Sequence, residues 1–275
     1  MKQNKKGLAL WLAAILLLLA GALLTGSPGR AEDVKESMRD AVLHNLNRVN
    51  LFGLKDVNPG LISAFTVTGI LLLAAVLLRV LVIPRFRFTP GKLQLLLEEA
   101  VGFFDRMAKG SSPHRSGFIG AYIFSAGCFI FVGTLFELLG LQAVTRHGTP
   151  ITLPAPLSDV NAAIALGTLS YLVIVSGGIA GNGAKGIGKA LKEFSLPISM
   201  SFRLFGALLS GLLVTELVYY FVNLSFVLPV VVGVLFTLLH ALIQTYVLTM
   251  LTALYYGEVS EPSHKKPKEK RVRRS

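Results

Sequence analysis

Arg203 stands in PISMSFRLFGALLSGLLVTELVYY, residues 197–220, as the only cationic side chain of that apolar stretch. A guanidinium keeps its proton under any ordinary condition. Burying one in hydrocarbon costs from about 2.5–3.5 kcal/mol on insertion scales to about 10–17 kcal/mol in simulations of isolated helices. A side chain that costly marks a bundle interior or a wet pathway. Further polar groups interrupt neighbouring apolar runs. Glu216 follows Arg203 on the same stretch, about 20 Å along and roughly 220° around a helix. His240 and Gln244 are four apart in the last apolar segment and so share a helix face. Glu137 closes an earlier apolar run, and Asp159 and Asn161 open the next. A fixed cation with titratable groups to one side of it is the chemistry of an ion route, not of bond cleavage. Each group also has a plainer reading. A membrane histidine or glutamine can hydrogen-bond a neighbouring helix, and Asp159 and Asn161 can cap the helix they precede.

The elements that must carry these residues are membrane helices. The chain has 275 residues, of which 53% are hydrophobic and 15% charged, which excludes an ordinary soluble domain. Apolar runs at 61–83, 118–141, 162–178, 195–222 and 227–256 are spaced as five crossings, most of them at or above the roughly 18–20 residues a bilayer requires. The last two form a hairpin around Asn223, which brings Gln244 near the depth of Arg203 and His240 one turn further outward. Residues 1–31 have three lysines, an apolar core and small residues before the end, the pattern of a signal peptide. The competing reading is an additional transmembrane helix. Residues 32–60 form an outer-side segment whose stretch 33–56 suits a short surface helix. LQLLLEEAVGFFDRMA within 84–116 is spaced as an amphipathic helix on the inner surface. Residues 61–258 are the membrane domain and 259–275 a basic tail.

The net charge of +12 does not describe a nucleic-acid binder, because no basic face with aromatic platforms is visible. Arg85, Arg87, Lys92, Arg106, Lys109 and Arg115 lie in one inter-helix segment, Lys185, Lys189 and Lys192 in another, and the tail is basic as well. Arg146 is alone in the outer loops between crossings. This bias puts the tail inside and the hairpin tip outside. Arg79 sits where it can snorkel to the interface. GNGAKG at 181–186 matches a dinucleotide fingerprint in letters only, since an apolar helix and no strand precedes it. Ala190 stands where a phosphate loop needs Ser or Thr. A flexible basic loop is the expectation there. No cysteine–histidine cluster exists to hold a metal, Cys128 is a small core residue, and no cofactor is expected.

S-M-S-F-R-L-F-G at 199–206 resembles the S-x-x-x-R-L-F-G signature of subunit a of the F-type ATP synthase. L-S-D-V-N at 157–161, P-G-K-L-Q-x-x-x-E at 90–98 and the segment 242–256 are similar to further stretches of that family. The resemblance covers most of 58–258. It implies an all-α membrane protein whose C-terminal hairpin packs beside a ring of c subunits, non-catalytic alone, in a bacterial inner membrane with the C terminus cytoplasmic. It implies two offset half-channels, Arg203 as the residue that meets the ring's carboxylate, and Gln244 as its neighbour. Ser199, Glu216, His240, Glu137, Asp159 and Asn161 complete the expected ion-translocating set, with b-type stalk subunits as further partners and protons as the ion. Ala207 replaces the family's usual asparagine, and Leu212 its usual carboxylate. His240, expected opposite Ala207, and Glu216 are the residues that would compensate. A sodium-coupled version of the same subunit and an unrelated transporter or channel are the alternatives, and a membrane assembly factor would be indifferent to Arg203.

Overall fold

The computed structural model describes residues 49–51, 54–139, 142–144, 150–220 and 228–262, with isolated helical positions at 13, 16, 17 and 20. The signal-peptide question and the end of the basic tail lie outside the described residues. From residue 49 on, the described residues form seven helices: α1 Pro59–Leu77, α2 Lys92–Ser111, α3 Ser116–Phe136, α4 Val160–Asn182, α5 Ala184–Lys192, α6 Ser195–Tyr220 and α7 Leu228–Ser260. Four spans are long and apolar enough to cross a bilayer: Pro59–Arg85, Pro113–Leu139, Val160–Asn182 and Gly233–Ser260. The bent pair Ala184–Lys192 and Ser195–Gly211, which turns by 49° between its halves, makes a fifth where it is counted as one span. Among the described residues four to five segments thus suit a crossing, and this is a multi-pass membrane protein.

Helix ends follow local chemistry. Asn58 accepts a 2.9 Å hydrogen bond from the Gly60 N–H, and Pro59 occupies the first helical position, where its missing N–H costs nothing. At the far end Pro84 cannot donate to the ladder and its ring crowds the carbonyl four residues back. The chain accommodates it by opening into a π turn over Leu78–Val82 and closing in a 3-10 turn over Ile83–Arg85.

Two short antiparallel ribbons lie outside the helical body. β1 Val49–Leu51 pairs with β2 Leu54–Val57, and β3 Gln142–Val144 with β4 Pro150–Thr152. The expected surface helix over 33–56 is thus a ribbon over 49–57, where VNL and LKDV put Val and Leu at strand ends. Residues 33–48 lie outside the described residues. The expected flexible loop at 181–194 is also different: α5 is a helix. Gly183, at φ 59°, turns the chain, and Gly186 then meets Gly178 backbone to backbone. A Cβ on Gly178 would stand 2.7 Å from the Gly186 carbonyl oxygen. Tyr171 Oη donates to the Ala190 carbonyl at 3.1 Å and ties α5 to α4 a second time.

The core joins α3, α4, α6 and α7 through Ile123, Ile130, Ile174, Met200, Leu204 and Leu248, all buried. A smaller cluster of Val67, Phe136 and Leu153 fastens α1. Only 6% of the apolar window of Pro59–Arg85 is buried, against 39% in Val160–Asn182. α1 is therefore a peripheral helix with its sides bare.

Candidate functional site

Leu196, Met200, Leu204 and Leu208 recur every four residues along α6, and all four are buried. This stripe seats α6 on α4. Gly167 makes the close approach possible, since a Cβ there would be 3.0 Å from the Pro197 carbonyl oxygen. The packing leaves the other face outward, and Ser199, Phe202, Arg203, Gly206 and Ser210 are exposed on it. Arg203 is about 12 Å by helical rise from the start of α6 at Ser195 and about 26 Å from its end at Tyr220. Among the described residues it has no carboxylate within 4.0 Å and no hydrogen-bond partner.

α7 packs against α3, α4 and α6. Its buried line runs Ala241, Gln244, Leu248, Thr252 and Tyr256, while Leu235, Leu239, Ile243 and Tyr246 are exposed. Gln244 thus turns into the body and Arg203 turns out of it. No hydrogen bond among the described residues joins them. The Gln244 Oε1 is buried with no donor among those residues, and an unmet buried acceptor costs about 1–3 kcal/mol.

His240 does not stand opposite Ala207. A Cβ on Gly211 would be 3.3 Å from its Nδ1, and its ring lies 6.0 Å from the Phe236 ring, one turn towards the helix N terminus. Side chains in a helix lean towards its N terminus. In an antiparallel partner that lean carries the His240 ring past Ala207 to Gly211.

The remaining expected residues are spread over the body. Glu137 is half-buried in the 3-10 turn Glu137–Leu139 that ends α3. Asp159 is the N-cap of α4, its Oδ1 accepting from the Asn161 N–H at 2.9 Å and the Asn161 Nδ2 at 3.2 Å. Asp159 therefore caps the helix, and Asn161 is the residue it caps. The same end brings α1 close, with 3.2 Å between a Cβ on Gly60 and the Asp159 Cβ. Glu216 belongs to α6, but its side chain lies outside the described residues. Hydrogen bonds among the described residues link none of Glu137, Asp159 and His240 to one another.

Sequence reasoning missed two polar features. Ser170 Oγ donates to the Leu166 carbonyl, so Tyr122 Oη is the donor across their 2.9 Å contact, which joins α3 to α4 inside the core. At the end of the body holding the termini of α4 and α7, basic residues read as topological signals hold backbone carbonyls. Arg115 donates to the Ala180 carbonyl at 2.6 Å, and Lys189 approaches the Glu261 carbonyl at 3.4 Å. Asn182 Nδ2 donates to the carbonyls of Val259 and Glu261 at 2.9 and 2.8 Å. Unsatisfied carbonyls at helix C termini attract such donors and cations. Basic residues near a predicted helix end were the available signal. Among the described residues no cluster of three or more His, Cys, Asp or Glu could hold a metal.

Arg203 thus faces outward from α6 among exposed apolar side chains. Residues 61–257 match the family model described as ATP synthase A chain. Proteins named ATP synthase subunit a in two strains of Cereibacter sphaeroides are 26% identical over 215 residues, spanning 74% of this chain and 82% of theirs. One from Acidothermus cellulolyticus is 28% identical over 184 residues, 61% of this chain and 65% of that one.

Proposed function

The chain belongs to the ATP synthase A chain family, and from that membership and the outward-facing Arg203 we propose that it translocates protons and couples their flow to the rotation of a c-subunit ring. It is a membrane subunit of the complex and not catalytic alone. The observation that carries the reading is the exposure of Arg203 without a described carboxylate partner. Left against lipid, that charge would be too costly at mid-span, so the face needs a partner that brings an anion. A ring of small helical hairpins, each with one membrane carboxylate, fits that need.

In this mechanism each carboxylate arrives protonated from one half-channel. Near Arg203 the low dielectric strengthens attraction to the ionised form, and the proton leaves into the other half-channel. The cation also bars a direct proton path between the two half-channels. Each charge that crosses contributes about 2.3 kcal/mol per 100 mV of membrane potential, and successive transfers turn the ring. Glu216, His240, Glu137, Asp159 and Asn161 are the proposed groups of the outer half-channel. Ser199 shares the face of Arg203, one turn away, and Gln244, buried on α7, is proposed to join the route through its unmet Oε1. We assign the C terminus to the cytoplasmic side of a bacterial inner membrane and include b-type stalk subunits among the partners.

Vesicles containing the assembled complex provide the test. Arg203→Ala is expected to abolish ion-driven ATP synthesis while the complex still assembles. Loss of one partner of a buried charge pair costs about 2–5 kcal/mol, enough for a fall of at least roughly thirtyfold. Synthesis that survives the substitution would sink the mechanism. Synthesis that depends on Na⁺ and not on pH would change the ion.

A further inference from the structure

Where the peripheral helix α1 ends, the π turn, the 3-10 turn and the start of α2 enclose an open cavity of about 540 Å³. Arg85, Arg87 and Lys92 line it together with Leu81, Phe86 and Leu93. Among the described residues none of these three cations has a carboxylate within 4.0 Å; the ion pairs of this segment are Arg106–Glu99 and Lys109–Asp105, further along α2. The cavity wall is held in shape. The Gln94 carboxamide receives the Arg87 N–H at 3.0 Å and donates to the Arg87 carbonyl at 2.9 Å. The same amide nitrogen, Nε2, also donates to Glu98 Oε1 at 2.7 Å. The motif P-G-K-L-Q-x-x-x-E therefore has a local job: it fixes a basic loop against the first turns of an amphipathic helix.

We propose that this cavity holds the phosphate of an anionic phospholipid, with Arg85, Arg87 and Lys92 around the headgroup. Three unpaired cations converging on one open cavity select a phosphodiester, and arginine suits phosphate geometry. The apolar part of the same lining selects lipid over free phosphate. Beside Leu81 and Phe86, Leu73 and Val76 of α1 and Val80 of the π turn are 58–62% exposed, giving an acyl chain a track. The position at a span's end, beside an interfacial helix, is the depth of a headgroup. This inference is independent of the proton mechanism.

The test is hydrogen exchange over residues 85–94 in the full chain within its membrane assembly. Phosphatidylglycerol added to phosphatidylcholine nanodiscs is expected to slow exchange in this segment. The combined Arg85→Gln, Arg87→Gln and Lys92→Gln variant is expected to lose that protection, with affinity falling about fivefold for each cation removed. A Lys185→Gln, Lys192→Gln control is expected to keep it. The unsubstituted chain alone can overturn the proposal. Absence of protection by phosphatidylglycerol would do so, and so would equal protection by inorganic phosphate in phosphatidylcholine, which would mark a free-anion site. Loss of protection in the control variant would show diffuse attraction and also overturn it.

Discussion

Arg203 and Gln244 illustrate how much a residue's role depends on which face it occupies. Both were legible in the sequence as polar interruptions of apolar runs, but their facing was not, because it follows from which helices pack on which sides. The four-residue leucine and methionine ladder of α6 was readable in principle, and it alone dictates that Arg203 points outward. Gln244 carries its own expectation. Its buried Oε1 has no described donor, so Gln244→Leu should raise or preserve thermal stability of the purified chain by up to about 1–3 kcal/mol. The same variant should lower coupled ATP synthesis in vesicles. A stability loss with synthesis intact would make the residue structural. For Glu216, replacement by Gln should reduce ATP-driven proton pumping; undiminished pumping would remove it from the route. His240 shows why spacing is a blunt guide: counting residues aligned its backbone with Ala207, whereas the lean of a helical side chain delivers its ring to Gly211.

At the scale of elements, long apolar runs reveal themselves and short amphipathic ones do not. Four of the five expected crossings were legible within a few residues at each end, because about twenty apolar residues have few other uses. α5 was not, because its buried face is made of glycine and alanine, which carry no hydropathy signal. Its evidence is steric: Gly178 and Gly186 touch through their backbones. Gly178→Ala is expected to destabilise the chain by about 1–3 kcal/mol through overpacking, read as a lower melting temperature. Gly188→Ala, on α5 with nothing within 4 Å of its Cβ, should instead be neutral or gain about 0.5–1 kcal/mol. The ribbon β1–β2 was misread as helix for a related reason: three- and four-residue strands are too short for a period to declare itself.

For the whole molecule, charge bias was the most informative sequence feature. It gives an orientation that the fold by itself does not contain. Cysteines introduced at Lys185 and at Asn161, in the Cys128→Ser background, should react with a membrane-impermeant maleimide from opposite sides of the membrane. Labelling of both from one side would overturn the proposed topology. The positions suit the test because both residues are exposed, Asn161 in the first turn of α4 and Lys185 just past its other end. The tie formed by Asn182 has a mechanical meaning in a rotary machine. A turning rotor exerts torque on its stator at every charge it passes, and by this reading the reaction force enters the body at Arg203. Two short bonds from one amide, to the Val259 carbonyl of α7 and to that of Glu261 just beyond it, pin the hairpin's base to α4. Load on the hairpin is thereby transmitted into the rest of the body through a stiff anchorage, so that less work is dissipated in bending the stator and more of it reaches the shaft.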